Sequence, residues 1–442
     1  MKSMRTGLRG TAVLAGAVGF ALLVSGCSSS SGGGGSDQTK GVTITVAWTN
    51  PAPPKAALAE FTKQTGIHVN WTITDWDSLQ TKISAAATSH TYFADATDVD
   101  WSRVGQLGQL GWFYPMSKYL DVASMKSDMP QMSSFTSKGT VYGIPFDSSY
   151  MVTTVNKAEF AKAGITTMPT TMDQYTADLK QIKAKGVSAT PLNIPFAAAE
   201  GLSTYWYEVS NAFGGPVLDA KGHPLFTSPD SAGYKAAAWM VNALKDGLVP
   251  AGSINATDSQ GMQNLMAKGI TASTLSDYSG NVGSLYDVPA SSSVVHQVEY
   301  IPTPGVTGVA TNLGNPDGIG IPTEAKYPKA AAEFIKWITS SANQAAFAGA
   351  DGAAKVMPNY PTPSRLSAMK ALTTSGQLAQ GAELTTLLQA SQAVFPNGAP
   401  PWYPQFSRAV NTNLHAAAVG SESLDAAIQA IAKTTNSLVS GN

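Results

Sequence analysis

Val42, Ile44, Val46 and Trp48 alternate with Thr43, Thr45 and Ala47, a period of two that predicts a strand with one buried face. Pro53 and Pro54 then open a helix with Leu58 and Phe61 on one side and Gly66 just past its end. A second alternation follows, with Ile67, Val69, Trp71 and Ile73 set against His68, Asn70, Thr72 and Thr74. Strand, helix and strand in this length make a βαβ unit, so the sheet is parallel and helices cover its faces. Such sheets offer sites beyond the carboxyl ends of their strands. Those places hold Trp48-Thr49-Asn50, then Asp75-Trp76-Asp77, and, after a third extended segment over residues 92–99, Asp98, Asp100 and Trp101. Three crossings thus each bring an indole and a polar group to one edge.

Further along, residues 138–145 read as a hairpin-like turn and residues 150–156 as a β-rich run that carries the chain into a second lobe. Residues 170–185 are helical in pattern, with Tyr175, Leu179 and Ile182 on one face and Gly186 as the stop. Residues 191–195 form a short strand. Tyr205, Trp206 and Tyr207 point to different sides of a helix, so at least one of them should face solvent or a cleft. Residues 233–247 are helical, and residues 270–275 form a strand ending in Ser276-Asp277-Tyr278. Ala331, Phe334, Ile335 and Ile338 make an apolar stripe after Pro328, and the last 35 residues are mostly helical. Trp112, Trp239 and Trp337 lie in apolar contexts and are assigned to the core.

The chain begins with Lys2, Arg5 and Arg9, runs uncharged from Gly10 to Gly26 and reaches Cys27, the only cysteine in 442 residues. A basic start, an apolar run shorter than the roughly 20 residues of a membrane helix and a small residue before cysteine predict a signal peptide over residues 1–26 and lipid attachment at Cys27. Residues 28–35 are only Ser and Gly, the composition of a flexible tether, here assigned to residues 27–40. Without a second cysteine there is no internal disulfide, so hydrophobic cores alone hold the roughly 400 residues that follow, enough for two or three domains. Taking Lys2, Arg5 and Arg9 from 28 Lys and Arg leaves 25 against 29 Asp and Glu. No basic face is suggested and nucleic acid is not expected as a partner. A neutral ligand fits this balance.

Catalytic signatures are missing from the sequence: no G-x-S-x-G, S-x-x-K, H-E-x-x-H or G-x-x-x-x-G-K. Glu200 and Glu208 are the most suggestive carboxylate pair, but eight helical residues separate them by roughly 12 Å, beyond the spacing of a glycoside hydrolase. The five histidines, at 68, 90, 223, 296 and 415, are scattered. Asp95, Asp98 and Asp100 lack the Gly and the closing Glu of a calcium loop, with Gln106 where that Glu would stand. Neither a catalytic residue, a metal nor a cofactor is therefore expected.

Several segments, in order, resemble the extracellular solute-binding proteins of ABC importers, in the sugar-binding group. Residues 60–69, Glu-Phe-Thr-Lys-Gln-Thr-Gly-Ile-His-Val, resemble the family's F-x-x-x-T-G-I-x-V segment, and residues 94–101 its ligand loop ending in Trp. Val141-Tyr142-Gly143-Ile144-Pro145 is similar to x-Y-G-[IVL]-P, and residues 156–165 to N-K-x-x-F-x-K-A-G-I. Residues 168–175 resemble x-P-x-T-W-D-E-[FL] with Met172 in place of Trp, and residues 318–338 the return segment. No single piece is specific; their order and the lipid-attachment cysteine carry the resemblance.

The resemblance implies an α/β, two-lobe periplasmic-binding-protein-like fold with hinged lobes and an interlobe ligand cleft. One lobe would hold residues 41–151 and 312–358, the other 152–311 and 359–442, with crossings near 149–154, 309–314 and 358–363. It also implies a monomer, lipid-anchored on the outer face of the cytoplasmic membrane, that delivers a carbohydrate to importer permease subunits. A sugar presents a face of C–H groups and a rim of hydroxyls, which suits indole and phenol rings beside carboxylates. The ligand-binding residues expected on this basis are Trp48, Asp75, Asp100, Trp101, Asp147, Tyr150, Trp206, Tyr278 and Trp402. Asp75 and Asp173 also fit simple helix caps. Tyr278 stands where sugar binders of this group usually carry Trp, and Trp402 could supply that aromatic from the C-terminal region.

Overall fold

A computed structural model describes residues 37–258, 260–349 and 362–441; the signal segment and Cys27 lie outside them. In chain order the elements that position the site are β1 (Val42–Trp48), α1 (Lys55–Thr65), β2 (Ile67–Ile73), α2 (Trp76–Ser89), β3 (Ala96–Asp100) and α3 (Val104–Gln109). Next come β4 (Ile144–Pro145), β5 (Met151–Asn156), α4 (Met172–Ala184), α5 (Glu200–Ala212) and α6 (Ala232–Lys245). The chain continues through β6 (Ser273–Tyr278), β7 (Val298–Ile301), β8 (Asp317–Gly320), α7 (Pro328–Ile338), α8 (Tyr403–Ala418) and α9 (Leu424–Ser440). None of the described helices is long and apolar enough to cross a membrane.

The alternating segments make the first lobe. β1 pairs in parallel with β2, from Val42 opposite Ile67 to Trp48 opposite Ile73, and with β3 on its other side. β8 returns antiparallel to β3 and β4, giving the order β2-β1-β3-β8-β4. Helix α1 ends at Gly66, whose φ of 76° is left-handed and directs its amide to the Thr62 carbonyl, the geometry that glycine adopts without strain. Ile44, Val46 and Trp48 point from β1 into a core with Phe61, Phe146, Ile319, Phe334 and Ile335.

The second lobe is built on an antiparallel sheet of order β6-β5-β7. Its strand β6 starts three residues later than the hydrophobic run at 270–275 predicts. Gly269, at φ 65°, is followed by an exposed Ile270, while Ser273, Thr274, Ser276 and Asp277 are buried. Burying those polar groups is tolerable because they are bonded: Ser273 shares a 2.8 Å bond with the Tyr175 hydroxyl, and Thr154 Oγ1 donates to Asp277 Oδ2 at 2.8 Å. Helix α4 is capped by Thr171, with Gln174 completing a capping box, so Asp173 is a first-turn residue and not the cap. Helix α5 is buried nearly all round, with Tyr205, Trp206 and Tyr207 all inside, contrary to the expectation that one would reach a surface. Helices α6 and α8 pack against it and α9 covers them, with Met240, Phe406 and Ile428 in the same core.

Three stretches of chain run side by side between the sheets. Asp147 bridges Pro363, the Ser148 amide donates to the Thr362 carbonyl at 2.9 Å, and Tyr150 bridges Gly314. Asn312 fastens the middle stretch, its Nδ2 donating to the Met151 carbonyl at 2.8 Å and to Thr303 Oγ1 at 3.0 Å.

Candidate functional site

The carboxyl end of β3 meets the second lobe. Asp100, the last residue of β3, accepts from the Ser102 amide at 2.7 Å and from Trp76 Nε1 at 3.1 Å. Trp76 is the first residue of α2 and also lies under the Arg103 guanidinium, 5.6 Å from the ring centre. Trp101 follows directly. Its indole N–H donates to Asn315 Oδ1, and its ring lies 6.2 Å from Phe395, nearly parallel at 26°, and 5.3 Å from Tyr403, edge-on at 62°. Helix α3 comes so close to the C-terminal segment that a Cβ at Gly105 would stand 1.9 Å from the Ala399 carbonyl oxygen; only glycine permits that approach.

On the facing side, Glu200 opens α5 and is bonded to two residues of α8. The Tyr403 hydroxyl donates to Oε1, and Ser407 Oγ donates to Oε2 at 2.6 Å. Tyr207, two turns along α5, stacks with Phe406 at 6.1 Å and 7° and meets Phe395 and Tyr403 edge-on. Tyr278 ends β6 and donates its hydroxyl to Asp258 Oδ2 at 2.6 Å. A Cβ at Gly201 would stand 2.4 Å from the Asp258 carboxyl carbon, so the start of α5 and the Tyr278–Asp258 pair are in contact.

Carboxylates dominate the electrostatics. Withdrawal from water pushes Asp98 and Asp317 well above the ordinary carboxylate range, and repulsion among Asp98, Asp100, Asp147 and Asp317 adds to it. Asp147 is raised to about 6 by burial, against the pull of the Asp317 and Ser149 amides that donate to it at 3.0 and 3.1 Å. Burial also raises Glu200, opposed by its bonds from Ser407 and Tyr403. Among the described residues no group of three or more His, Cys, Asp or Glu is arranged to hold a metal ion.

The nine expected ligand residues part into two sets. Asp100, Trp101, Asp147 and Tyr278 come together around this junction. Of the other five, Trp402 lies beside the junction and four lie elsewhere. Trp48 is in the first lobe's core, its ring 4.7 Å from Phe146, because the alternation that predicts β1 also turns position 48 to the buried face. Trp206 is fully buried, with Nε1 donating to the Gly233 carbonyl at 2.8 Å. The Tyr150 hydroxyl donates at 2.6 Å to the Leu384 carbonyl inside the second lobe. Asp75 is exposed and caps α2, accepting from the Ser78 amide at 2.9 Å. Trp402 packs edge-on against Phe406 and lines a cavity of about 430 Å3 with Val217, Leu218 and Phe395.

Sequence reasoning brought Trp76 to the strand edge without choosing it as a ligand residue, and missed Arg103, Glu200, Asn315, Phe395 and Tyr403 as members of the junction. Trp402 and Tyr403 illustrate why. Trp402 precedes α8 and Tyr403 is its first residue, and they point to different sides: Tyr403 to Trp101 and Glu200, Trp402 to the cavity beside Phe395.

Comparison with known proteins follows the same lines. The sequence model described as "Bacterial extracellular solute-binding protein" matches residues 47–345. No curated protein matches the chain. Among solved structures, the maltose-bound MalE3 of T. maritima is similar at 20% identity and a TM-score of 0.75, covering 90% of this chain and 100% of that one. The solute-binding protein of Agrobacterium radiobacter K84 in complex with ribitol gives 23% identity, a TM-score of 0.75, and coverage of 90% and 99%. That of Agrobacterium vitis S4 with bound D-mannitol gives 22%, 0.74, and the same coverage. At these identities the likeness is one of fold.

Proposed function

Since the chain belongs to the bacterial extracellular solute-binding protein family, whose place is outside the cytoplasmic membrane, we propose that it captures a mono- or oligosaccharide between its lobes and delivers it to an ABC importer. One observation carries this reading: Asp100 and Trp101 at the end of β3 meet Glu200, Phe395 and Tyr403 of the other lobe, so carboxylates stand beside flat rings at a single junction. Carboxylates accept from sugar hydroxyls in charge-assisted bonds, and the rings cover the C–H face. Relatives of the same fold bound to maltose, ribitol and mannitol support the ligand class.

The mechanism follows from how the junction is closed. Trp101, Phe395, Tyr403 and Tyr207 cover one another, so a solute enters only when the lobes part. The side-by-side stretches at 147–150, 312–314 and 362–363 are the hinge on which they do so. They support lobe boundaries that leave residues 41–151 and 312–358 on one side and 152–311 and 359–442 on the other. A solute touching both walls binds the closed form more tightly than the open one, and that difference drives closure. The importer would read the closed form. The protein acts by binding without turnover, as a monomer anchored through lipidated Cys27.

Thermal unfolding with a panel of sugars and polyols tests the reading. A true ligand at 100 times its dissociation constant adds about 2.7 kcal/mol to stability, and small-angle scattering should show a more compact particle. A melting temperature that no member of the panel moves would refute sugar capture.

A further inference from the structure

Strand pairing places Asp317 of β8 directly opposite Asp100 of β3, and Asp98 lies two residues from Asp100 on the same strand face. Like charges placed opposite one another across two strands are unfavourable. Asp147 joins them, its Oδ1 held by the Asp317 amide at 3.0 Å. Among the described residues, none of these four carboxylates forms an ion pair with Lys, Arg or His; the ion pairs lie elsewhere, as in Arg365 with Asp128. Arg103 is the cation whose field reaches Asp98, and it sits over the Trp76 ring with its own Nε buried and unbonded. Asp98 carries the second mark of an unmet need. Its Oδ2 accepts from Gln80 Nε2 at 2.6 Å, but its Oδ1 is buried without any hydrogen-bond partner. A buried carboxylate oxygen in that state calls for a donor from outside the chain.

A neutral sugar could supply hydroxyl donors and would still leave four carboxylates facing one another. An ammonium group supplies three donors and a compensating charge at once. A metal ion does not fit, because no three of these groups converge on a point.

We propose that the solute taken up at this junction bears a protonated amine among its hydroxyls, an amino sugar, whose ammonium group donates to the open Oδ1 of Asp98 and is compensated by the negative field of Asp100, Asp147 and Asp317. This deepens, and rests on, the sugar-capture reading. The ammonium would lie on the β3–β8 side while the ring faces lie against Trp101 and Tyr403. The carboxylates facing the ammonium are these four, with Arg103 and Glu200 as the neighbouring charged groups and Tyr278 beyond Asp317. Because burial and mutual repulsion raise Asp98, Asp147 and Asp317 in the empty protein, binding an ammonium expels protons, and affinity for the amine falls as the pH is lowered.

The experiment is titration calorimetry of the full chain with three disaccharides of one skeleton: the β-1,4 dimer of glucosamine, its N,N'-diacetyl form, and cellobiose, with glucosamine and glucose as the monosaccharide pair. The amine forms are expected to bind at least about tenfold tighter than their neutral partners at pH 7.5, with proton release detected as a dependence of the heat on buffer. Asp317→Asn and Asp98→Asn should each collapse that ratio. Both variants should also raise the melting temperature of the empty protein, since each removes a like-charge contact. Neutral sugars binding as well as the amines, or an Asn variant that melts lower and keeps the preference, would overturn the assignment of charge and leave sugar capture standing. If none of these sugars binds, nor maltose, ribitol or mannitol, sugar capture itself falls.

Discussion

On the β3–β8 side of the cleft four carboxylates stand together and one of them keeps an unbonded oxygen, whereas on the α5–α8 side Phe395, Tyr403 and Tyr207 pack ring against ring and Glu200 is bonded to Tyr403 and Ser407. The first wall keeps an open carboxylate oxygen at Asp98 Oδ1, while the second wall's carboxylate Glu200 is bonded at both oxygens. A ligand therefore gains selectivity from the first wall and contact area from the second. Mutations on the two walls should separate those contributions, and mutations outside both should touch neither.

The largest contrast is between two tryptophans that the sequence treats alike. Trp206→Ala empties a fully buried site and removes the bond to the Gly233 carbonyl; it should destabilise by about 3–5 kcal/mol while the folded fraction keeps its affinity. Trp101→Ala removes the ring that touches both walls, and binding should weaken by roughly 100-fold, about 2.7 kcal/mol, with a smaller fall in melting temperature than Trp206→Ala. The reverse order of the two melting temperatures, with affinity intact in Trp101→Ala, would move Trp101 into the core and erase the distinction between wall and interior.

Next in size is Gly105→Ala. Its new Cβ would meet the Ala399 carbonyl oxygen at 1.9 Å, a clash that relaxes only if α3 and the C-terminal segment separate. Closure should suffer, with affinity lower by about tenfold and a scattering profile in ligand that stays close to the empty one. A Gly105→Ala protein that closes normally would show that the walls meet through side chains alone.

Much of the first lobe was legible because β1, β2 and α1 set exposed positions between buried ones. The alternation over residues 42–48 and 67–73 and the Pro54 and Gly66 boundaries of α1 locate β1, α1 and β2 without help from the fold. The second lobe hides its pattern. Helix α5 is enclosed by α6 and α8, so no polar face marks it, and β6 buries Ser273, Thr274 and Asp277 through side-chain bonds that hydropathy cannot register. Residues at strand ends, Asp100 and Trp101, were found from the rule for parallel sheets. Those contributed by distant segments, Asn315, Phe395 and Tyr403, became neighbours only through the hinge.

A subtler test concerns Glu208, four residues before the end of α5. Its Oε2 accepts from the Leu313 amide at 3.0 Å and its Oε1 from Thr303 Oγ1 at 3.2 Å, tying α5 to the middle hinge stretch. Burial raises its pKa to about 8, far above the roughly 4.3 of an unfolded chain. Between those values the folded state holds a proton that the unfolded state has lost, so this group makes stability fall as pH rises from about 5 to 8. Glu208→Gln keeps the shape and should flatten that part of the melting-temperature profile. An unchanged slope would mean that Glu208 is ionised in the fold.

The smallest effect is expected at Asp75, and it bears on how strand ends should be read. Asp75 follows β2 in the same way that Asp100 ends β3, yet its carboxylate accepts from the Ser78 amide and the side chain is exposed. That bond, with little burial to oppose it, holds its pKa below the ordinary value. Asp75→Ala removes a cap, which should lower the melting temperature by roughly a degree or two and leave the affinity for every sugar where it was; Asp75→Asn, able to accept the same bond, should do less. Lost affinity in Asp75→Ala with an unchanged melting temperature would place this carboxylate on the ligand after all. The distinction between the two aspartates would then lie in the ligand's reach and not in the strand they follow: β2 is at the edge of the sheet, whereas β3 runs beside β8 and faces the other lobe.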